Sequence, residues 1–374
     1  MKVEILKENM RAGLSMVEKI VGKNLSLPVL NNVLMDTDDS FLVLTSTDLE
    51  TAIKLWVLTK IVKKGRVVIP AKFLSSFVAS LPNEKITMEA IGQNLHIECK
   101  KVHTQIQGAS PDDFPIIPEF NHAEYIEVDV AKLCQGLGQV IDIPVVSTSR
   151  PEISGIYFSF SKNNIKIAAT DSFRLAEKNI ALQQALTKEY SCILPQRPAR
   201  EILNILDGKM GMVKIYFSNS QAMVEFPMKE VDHPQVQITS RLIEGEYPNY
   251  QDIIPTKFKT RVTIKRDEFL NQIKTASLFS GKVNEVKISV PENGKEVFVF
   301  AKSPELGENT SSIEAKIEGG AIEVSFNYKY LADGLMNIKS SEVNFEVSKE
   351  EGPCILTPVG DASYLYVVMP IKAM

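Results

Sequence analysis

The sequence predicts an α+β chain made of three copies of one unit, each with two amphipathic helices and several alternating strands, and three observations predict it. "LVLTSTDLETAIKL" from residue 42, "IKIAATDSFRLAEK" from 165 and "VFVFAKSPELGENTSSIEAKI" from 297 each read as strand, polar turn and strand. Thr47-Asp48 and Thr170-Asp171 hold equivalent turns, and Lys302-Ser303 takes the third. "VVIPAKFLSSFVASLP" from 67, "CILPQRPAREILNILD" from 192 and "IEVSFNYKYLADGLMNI" from 322 each run from a short β-branched strand into an amphipathic helix, with Pro70, Pro195 and Ser325 in the same slot. Met10, Leu14 and Val17 recur as Leu133, Leu137 and Val140 and again as Phe269, Ile273 and Ala276, the four-then-three spacing of a helix with one buried stripe. Self-similarity at a period of about 125 residues marks a repeated domain.

In chain order, helices are expected over residues 7–23, 71–81, 129–140, 196–207, 265–282 and 327–339. Between the first two lies "MDTDDSFLVL", where Asp36, Asp38 and Asp39 read as the turn of a β-hairpin. The units are expected to span 1–121, 122–254 and 255–374, within the two or three domains that 374 residues allow. The joining stretches "PDDFPIIPEF" and "EGEYPNYQDIIP" both combine acidic, aromatic and proline residues with an Ile-Ile-Pro. Proline fixes φ, so stiff extended linkers are expected.

Composition narrows the function. Glu4 and Glu8 interrupt any apolar signal core, and no apolar run reaches the length of a membrane span, so a cytoplasmic protein with no membrane partner is expected. Cys99, Cys134, Cys192 and Cys354 are far apart and form no CxxC pair, which favours buried thiols over a metal site or a disulfide framework. GxSxG, Walker A, HExxH and zinc-type spacings are absent, and His96, His103, His122 and His233 lie in unrelated contexts. A non-catalytic protein with no cofactor and no metal is the expectation. The enzymatic alternative is a metal-dependent phosphodiesterase built on the Asp36 cluster. Asp171-Ser172 fails as a catalytic pair because its repeat partner, Asp48-Leu49, lacks the hydroxyl; both aspartates suit Asx-type bonds to the backbone.

Charge is unevenly placed. A net charge of −4 argues against a nucleic-acid binder, yet the six predicted helices together carry +6 against −10 for the remainder. Lys7, Arg11, Lys19, Lys23, Lys72, Arg197, Arg200, Lys265, Arg266, Lys274 and Lys282 supply that excess. If three units curve about an axis with helices on one side, these groups face a shared space, and their phosphate contacts would be sequence-independent and salt-sensitive.

Seven motifs in order, "LSLPVLNNVLM" (25–35), "LTSTDLE" (44–50), "IPAKF" (69–73), "DDFP" (112–115), "AATDSFRLA" (168–176), "EGEYPNY" (244–250) and "YVVMPIKAM" (366–374), resemble the bacterial DNA polymerase III β subunit family, the sliding clamps, over essentially the whole chain. The resemblance implies three DNA-clamp domains with helices inside and antiparallel sheets outside, and a head-to-tail homodimer ring around duplex DNA. Implied partners are the polymerase III α subunit, the clamp loader and other proteins carrying clamp-binding motifs. It also implies a peptide pocket of Ile153, Thr170, Phe173, Arg174, Leu175, Pro248, Ile253, Asn327, Tyr330, Val367, Met369, Pro370 and Ile371, and DNA contacts by Lys23, Lys72, Arg150 and Arg197. Two departures stand out. Ser172-Phe173 replaces the family's usual Gly-His or Gly-Tyr and makes the pocket rim more apolar, while Gln251-Asp252 replaces arginine and removes a positive site. A clamp-like scaffold that does not ride on DNA is the third reading.

Overall fold

The computed structural model describes residues 1–22, 26–117, 120, 124–186, 188–292 and 294–371. Among them the six expected helices form: α1 (Lys7–Val17), α2 (Ala71–Ser80), α3 (Val130–Val140), α4 (Gln196–Leu206), α5 (Arg266–Ser277) and α6 (Tyr328–Met336). All nine stripe residues of α1, α3 and α5 are at most 1% exposed. Each large apolar side chain among them contributes about 1.5–3 kcal/mol on leaving water.

Two helices stop earlier than the apolar spacing predicts. The Ser46 hydroxyl, buried, donates to the Val17 carbonyl at 2.7 Å, so α1 ends there and the chain turns to bury Ile20. Ser280 donates its hydroxyl to the Ser277 carbonyl at 2.8 Å and closes α5 in the same way. Terminal carbonyls of a helix need such partners. Lys19 and Lys282 therefore lie in turns rather than on helices.

The chain forms two compact units, and the middle repeat is divided between them. The first comprises Met1–Lys132 and Arg197–Leu242. Its five-stranded sheet is ordered Lys60–Lys63, Lys2–Leu6, Lys85–Ile91, Asn94–Cys99, Val102–Ile106. Its eight-stranded sheet is ordered Ile126–Asp129, Met212–Phe217, Gln221–Pro227, Pro234–Arg241, Thr51–Leu58, Phe41–Thr47, Asn32–Asp38, Arg66–Pro70. α1 packs beside α2 and onto strands Phe41–Thr47 and Thr51–Leu58, closely enough that a Cβ at Gly13 would meet Leu44 and Val57 at 2.9 Å. The expected hairpin turn follows Asp38, which pairs with Phe41, and Asp39 adopts φ 44°.

The second unit, Leu133–Gln196 with Ile243–Met374, holds a twelve-stranded sheet. Its order is Tyr190–Pro195, Gly155–Ser161, Asn164–Thr170, Arg174–Ala181, Tyr364–Val368, Cys354–Pro358, Glu342–Val347, Thr260–Lys265, Gly307–Gly319, Glu296–Ser303, Glu285–Val290, Ile322–Asn327. α5 packs against α6 and onto strands Glu296–Ser303 and Gly307–Gly319. The linkers are not uniformly extended: Pro111–Asp113 and Gln251–Ile253 each make one 3-10 turn.

One antiparallel junction is made twice. The strand after the first Thr-Asp turn pairs with a repeat's last strand, Thr51 opposite Ser240 through Leu55 opposite Val236. The strand after the second pairs Arg174 with Val368 through Lys178 with Tyr364. The flanking bond repeats too: the Arg241 N–H donates to the Glu50 carbonyl and the Met369 N–H to the Phe173 carbonyl, both at 2.9 Å. Two counterpart edges stay open among the described residues. Val102–Ile106 has a neighbour on one side only, and Gly307–Gly319 meets Thr260–Lys265 only from Ala315 onward, leaving residues 307–313 with one partner.

Packing beneath α6 has no slack. A Cβ at Gly334 would meet the Tyr366 ring at 2.5 Å and Leu356 at 3.0 Å. Gly334→Ala is expected to cost about 1–3 kcal/mol through overpacking, measured as a lower urea midpoint at unchanged slope.

Candidate functional site

The site grows from the Thr170-Asp171 turn. Asp171 Oδ1 accepts the N–H groups of Phe173 and Arg174, each at 2.9 Å, while Thr170 donates its hydroxyl to the Arg174 carbonyl at 2.8 Å and accepts the Ser172 N–H at 3.1 Å. Its repeat counterpart is built from the same bonds. Asp48 Oδ1 accepts the N–H groups of Glu50 and Thr51, and Thr47 donates to the Thr51 carbonyl and accepts the Leu49 N–H. Ser172 and Leu49 sit at φ 76° and 75°, the left-handed conformation that costs a side-chain-bearing residue about 1 kcal/mol or more. These aspartates are structural acceptors, as the repeat suggests.

Each turn also engages an arginine through Oδ2. Asp48 takes Arg197 at 3.0 Å, and Asp171 takes Arg174 Nε at 3.0 Å. Arg174 further pairs with Asp333 on α6, donates to the Asp142 carbonyl at 3.3 Å and lies 4.8 Å from the centre of the Tyr330 ring. With its side chain 9% exposed, Arg174 positions the turn against α6. Sequence reasoning missed Asp333, although its spacing of three from Tyr330 on a helix was the available signal.

Above this network lies an apolar rim. Phe173, 57% exposed, stacks on Tyr330 with centroids 6.2 Å apart and planes 18° apart. Met369, Pro370 and Ile371 pass half-buried, tied at one end by the Met369 N–H to Phe173 and at the other by the Ile371 N–H to the Ser325 carbonyl at 2.8 Å. Asn327 caps α6 by accepting the Lys329 N–H. Pro248 is half-buried and Ile253 exposed. Four expected pocket residues are buried, Thr170 in the turn already described and three more beside it. Leu175 and Val367 are each 1% exposed and directly opposite in the sheet, and Ile153 is the buried end of the 3-10 turn Pro151–Ile153, whose first residue is exposed. Leu175 and Val367 support the rim without forming it, because their strands turn both side chains into the buried cluster around Tyr250.

The first unit's equivalent junction presents Glu50 and Arg241, paired at 3.5 Å, where the second presents Phe173 and Met369. One backbone arrangement thus carries a polar face in one unit and an apolar one in the other. The basic residues expected at DNA differ among themselves. Lys72 on α2 is exposed and forms no ion pair among the described residues. Arg150 is exposed, 3.4 Å from Glu152, and donates to Ser172 at 3.1 Å. Arg197 is held by Asp48 and donates to the Ile20 carbonyl at 3.1 Å. Lys23 lies outside the described residues. All four cysteines are buried and outside any disulfide, and burial pushes the Cys192 thiol up to about 12. Among the described residues no His, Cys, Asp and Glu cluster is placed to hold a metal, and no helix is long and apolar enough to cross a membrane.

The fold is that of the DNA polymerase sliding clamps. The crystal structure of the sliding clamp from Bacillus subtilis matches with a TM-score of 0.94 at 25% identity over 100% of both chains, and the DNA polymerase III beta subunit from Thermotoga maritima with 0.90 at 25% over 100% of both. Curated relatives include the beta sliding clamp of Synechocystis sp., 27% identical over 100% of this chain and 99% of its own, and that of Staphylococcus aureus, 26% identical over 95% and 94%. The family models for the DNA polymerase III beta subunit N-terminal, central and C-terminal domains match residues 1–118, 135–249 and 251–372. The chain belongs to the DNA polymerase III beta subunit family.

Asp171→Ala and Asp48→Ala each strand two backbone N–H groups and an arginine. Each is expected to lose about 1–3 kcal/mol in urea unfolding.

Proposed function

We propose that this protein acts as a DNA polymerase processivity factor: two copies join edge to edge into a closed ring around duplex DNA, and the rim around Phe173 and Tyr330 tethers polymerase and other replication and repair proteins by short peptides. The observation that carries this reading is the junction made twice within the chain. A third such junction, between residues 102–106 of one copy and 307–313 of another, pairs both open edges and closes by symmetry on a second copy. Domain limits at 121 and 254 belong to this reading. The relatives' names favour a binding role over catalysis.

Topological linkage rather than tight equilibrium binding holds such a ring on DNA. After loading, the protein is expected to stay on a closed circular plasmid and to leave the same plasmid once linearised, with no difference between sequences; equal loss from both forms would contradict it. Lys72→Glu with Arg150→Glu should reduce retention, since both side chains are exposed and reversing their charge would repel phosphates. Arg197→Glu is a poor probe, because it would set a carboxylate against Asp48 and disturb the turn.

For the rim, a labelled polymerase-derived peptide with a Leu or Phe anchor should bind wild type. Losing one apolar wall forfeits about 1.5–3 kcal/mol, so removal of residues 369–374 is expected to weaken binding by about tenfold to a hundredfold. Phe173→Ala should weaken it less. Unchanged affinity in both variants would place the peptide elsewhere.

A further inference from the structure

The first unit contains a cavity of about 600 Å³ on its eight-stranded sheet, at the repeat position that the second unit fills with its own core. In the second unit Ala168, Leu175, Tyr250, Ile355 and Val367 form one buried cluster, with Tyr157, Tyr247 and Ile254 packed against it, and the Tyr250 hydroxyl donates to Glu177 at 2.7 Å. Register identifies their counterparts. Leu175 pairs with Val367 and Val367 with Ile355, just as Ala52 pairs with Thr239 and Thr239 with Met223. Ala52, Thr239 and Met223 all line the cavity. Aligned on Phe114-Pro115 and Tyr247-Pro248, Tyr250 corresponds to Ile117, another lining residue. Leucine to alanine, valine to threonine and tyrosine to isoleucine together remove a ring and a branched side chain and open the space.

The charge at its floor is reversed. Where the second unit has Glu177, which accepts the tyrosine hydroxyl, the first has Lys54, half-buried, 4.8 Å from the centre of the Trp56 ring and without an ion pair among the described residues. The other cation, Arg66, is already paired with Asp112 at 2.8 Å and faces Asp36 across the strand pair. Trp56, 6% exposed, borders the cavity, and its indole N–H has no hydrogen-bond partner. The indole N–H is fully buried and turned from the opening, which leaves Lys54 as the donor an occupant can reach; lysine can only donate, so an occupant that engages it must bring an acceptor, and must do so beside Asp36 and Asp38, which line the same cavity.

We infer that this cavity is a second binding site, for a partner peptide segment that carries an aromatic side chain next to a carboxylate. The ring takes the volume that Tyr250 fills in the second unit, and the carboxylate meets Lys54. This site is separate from the Phe173 rim and stands whether or not that rim binds polymerase peptides.

Trp56 is the only tryptophan in the chain and reports on the site directly. Titration of the full-length protein with acetyl-Phe-Asp-Asp-amide should shift tryptophan emission saturably, and acetyl-Phe-Lys-Lys-amide should bind about tenfold more weakly or worse. Lys54→Glu should cause a comparable loss, and Ile117→Tyr, which rebuilds the second unit's plug, should abolish the response while near-UV circular dichroism and urea midpoint keep the fold in view. Phenylpropionate serves as the small-molecule arm: tighter binding than the peptide's would reassign the occupant to a free aromatic acid and overturn the peptide claim. No emission change with the acidic peptide, or equal binding by Lys54→Glu, would overturn the site itself.

Discussion

Antiparallel pairing between strand edges is the interaction on which the rest of this architecture depends. An unpaired edge exposes a row of backbone donors and acceptors, and each repeat carries two such edges, one after its polar turn and one at its last strand. Within the chain the pairing is satisfied twice in one register, down to the flanking bond from Arg241 to Glu50 and from Met369 to Phe173. Pairing also decides which side chains meet. By setting Arg174 opposite Val368, it brings the chain's last described residues alongside the Asp171 turn and creates the apolar rim.

The turn is the second constraint. One aspartate oxygen holds two backbone N–H groups and the other an arginine, so the turn cannot shift without losing several charge-assisted bonds. The two copies spend that rigidity differently. Asp48 fixes a turn whose neighbours are Glu50 and Arg241; Asp171 fixes one whose neighbours are Phe173 and Met369. Likewise the sheet face beside the junction is a filled tyrosine-capped core in the second unit and an open, lysine-floored cavity in the first. The two units differ in the side chains they set on one internal backbone plan.

Much of this was legible in the sequence because it depends on local periodicity. The four-then-three stripes located α1, α3 and α5, the strand-into-helix triple located α2, α4 and α6, and the twin Thr-Asp pairs located equivalent turns whose hydrogen bonds repeat one for one. What stayed illegible depends on distant partners. The end of α1 is set by Ser46, twenty-nine residues away, and nothing in the helix itself signals it. Leu175 and Val367 belong to pocket-bearing motifs, yet cross-strand register turns both into the core. Arg197 reads as a cation facing DNA and Arg174 as a pocket residue until the fold supplies Asp48 and Asp333 as their partners.

The measurement that tests the edge-pairing account most directly is amide hydrogen exchange over residues 102–106 and 307–313 at micromolar protein concentration, with native mass recorded on the same sample. Two copies joined by the third junction predict that both segments exchange slowly, as paired strands do, and lose protection together on dilution to the monomer. Fast exchange of both segments in a sample whose mass is that of a dimer would place the interface elsewhere and contradict the account.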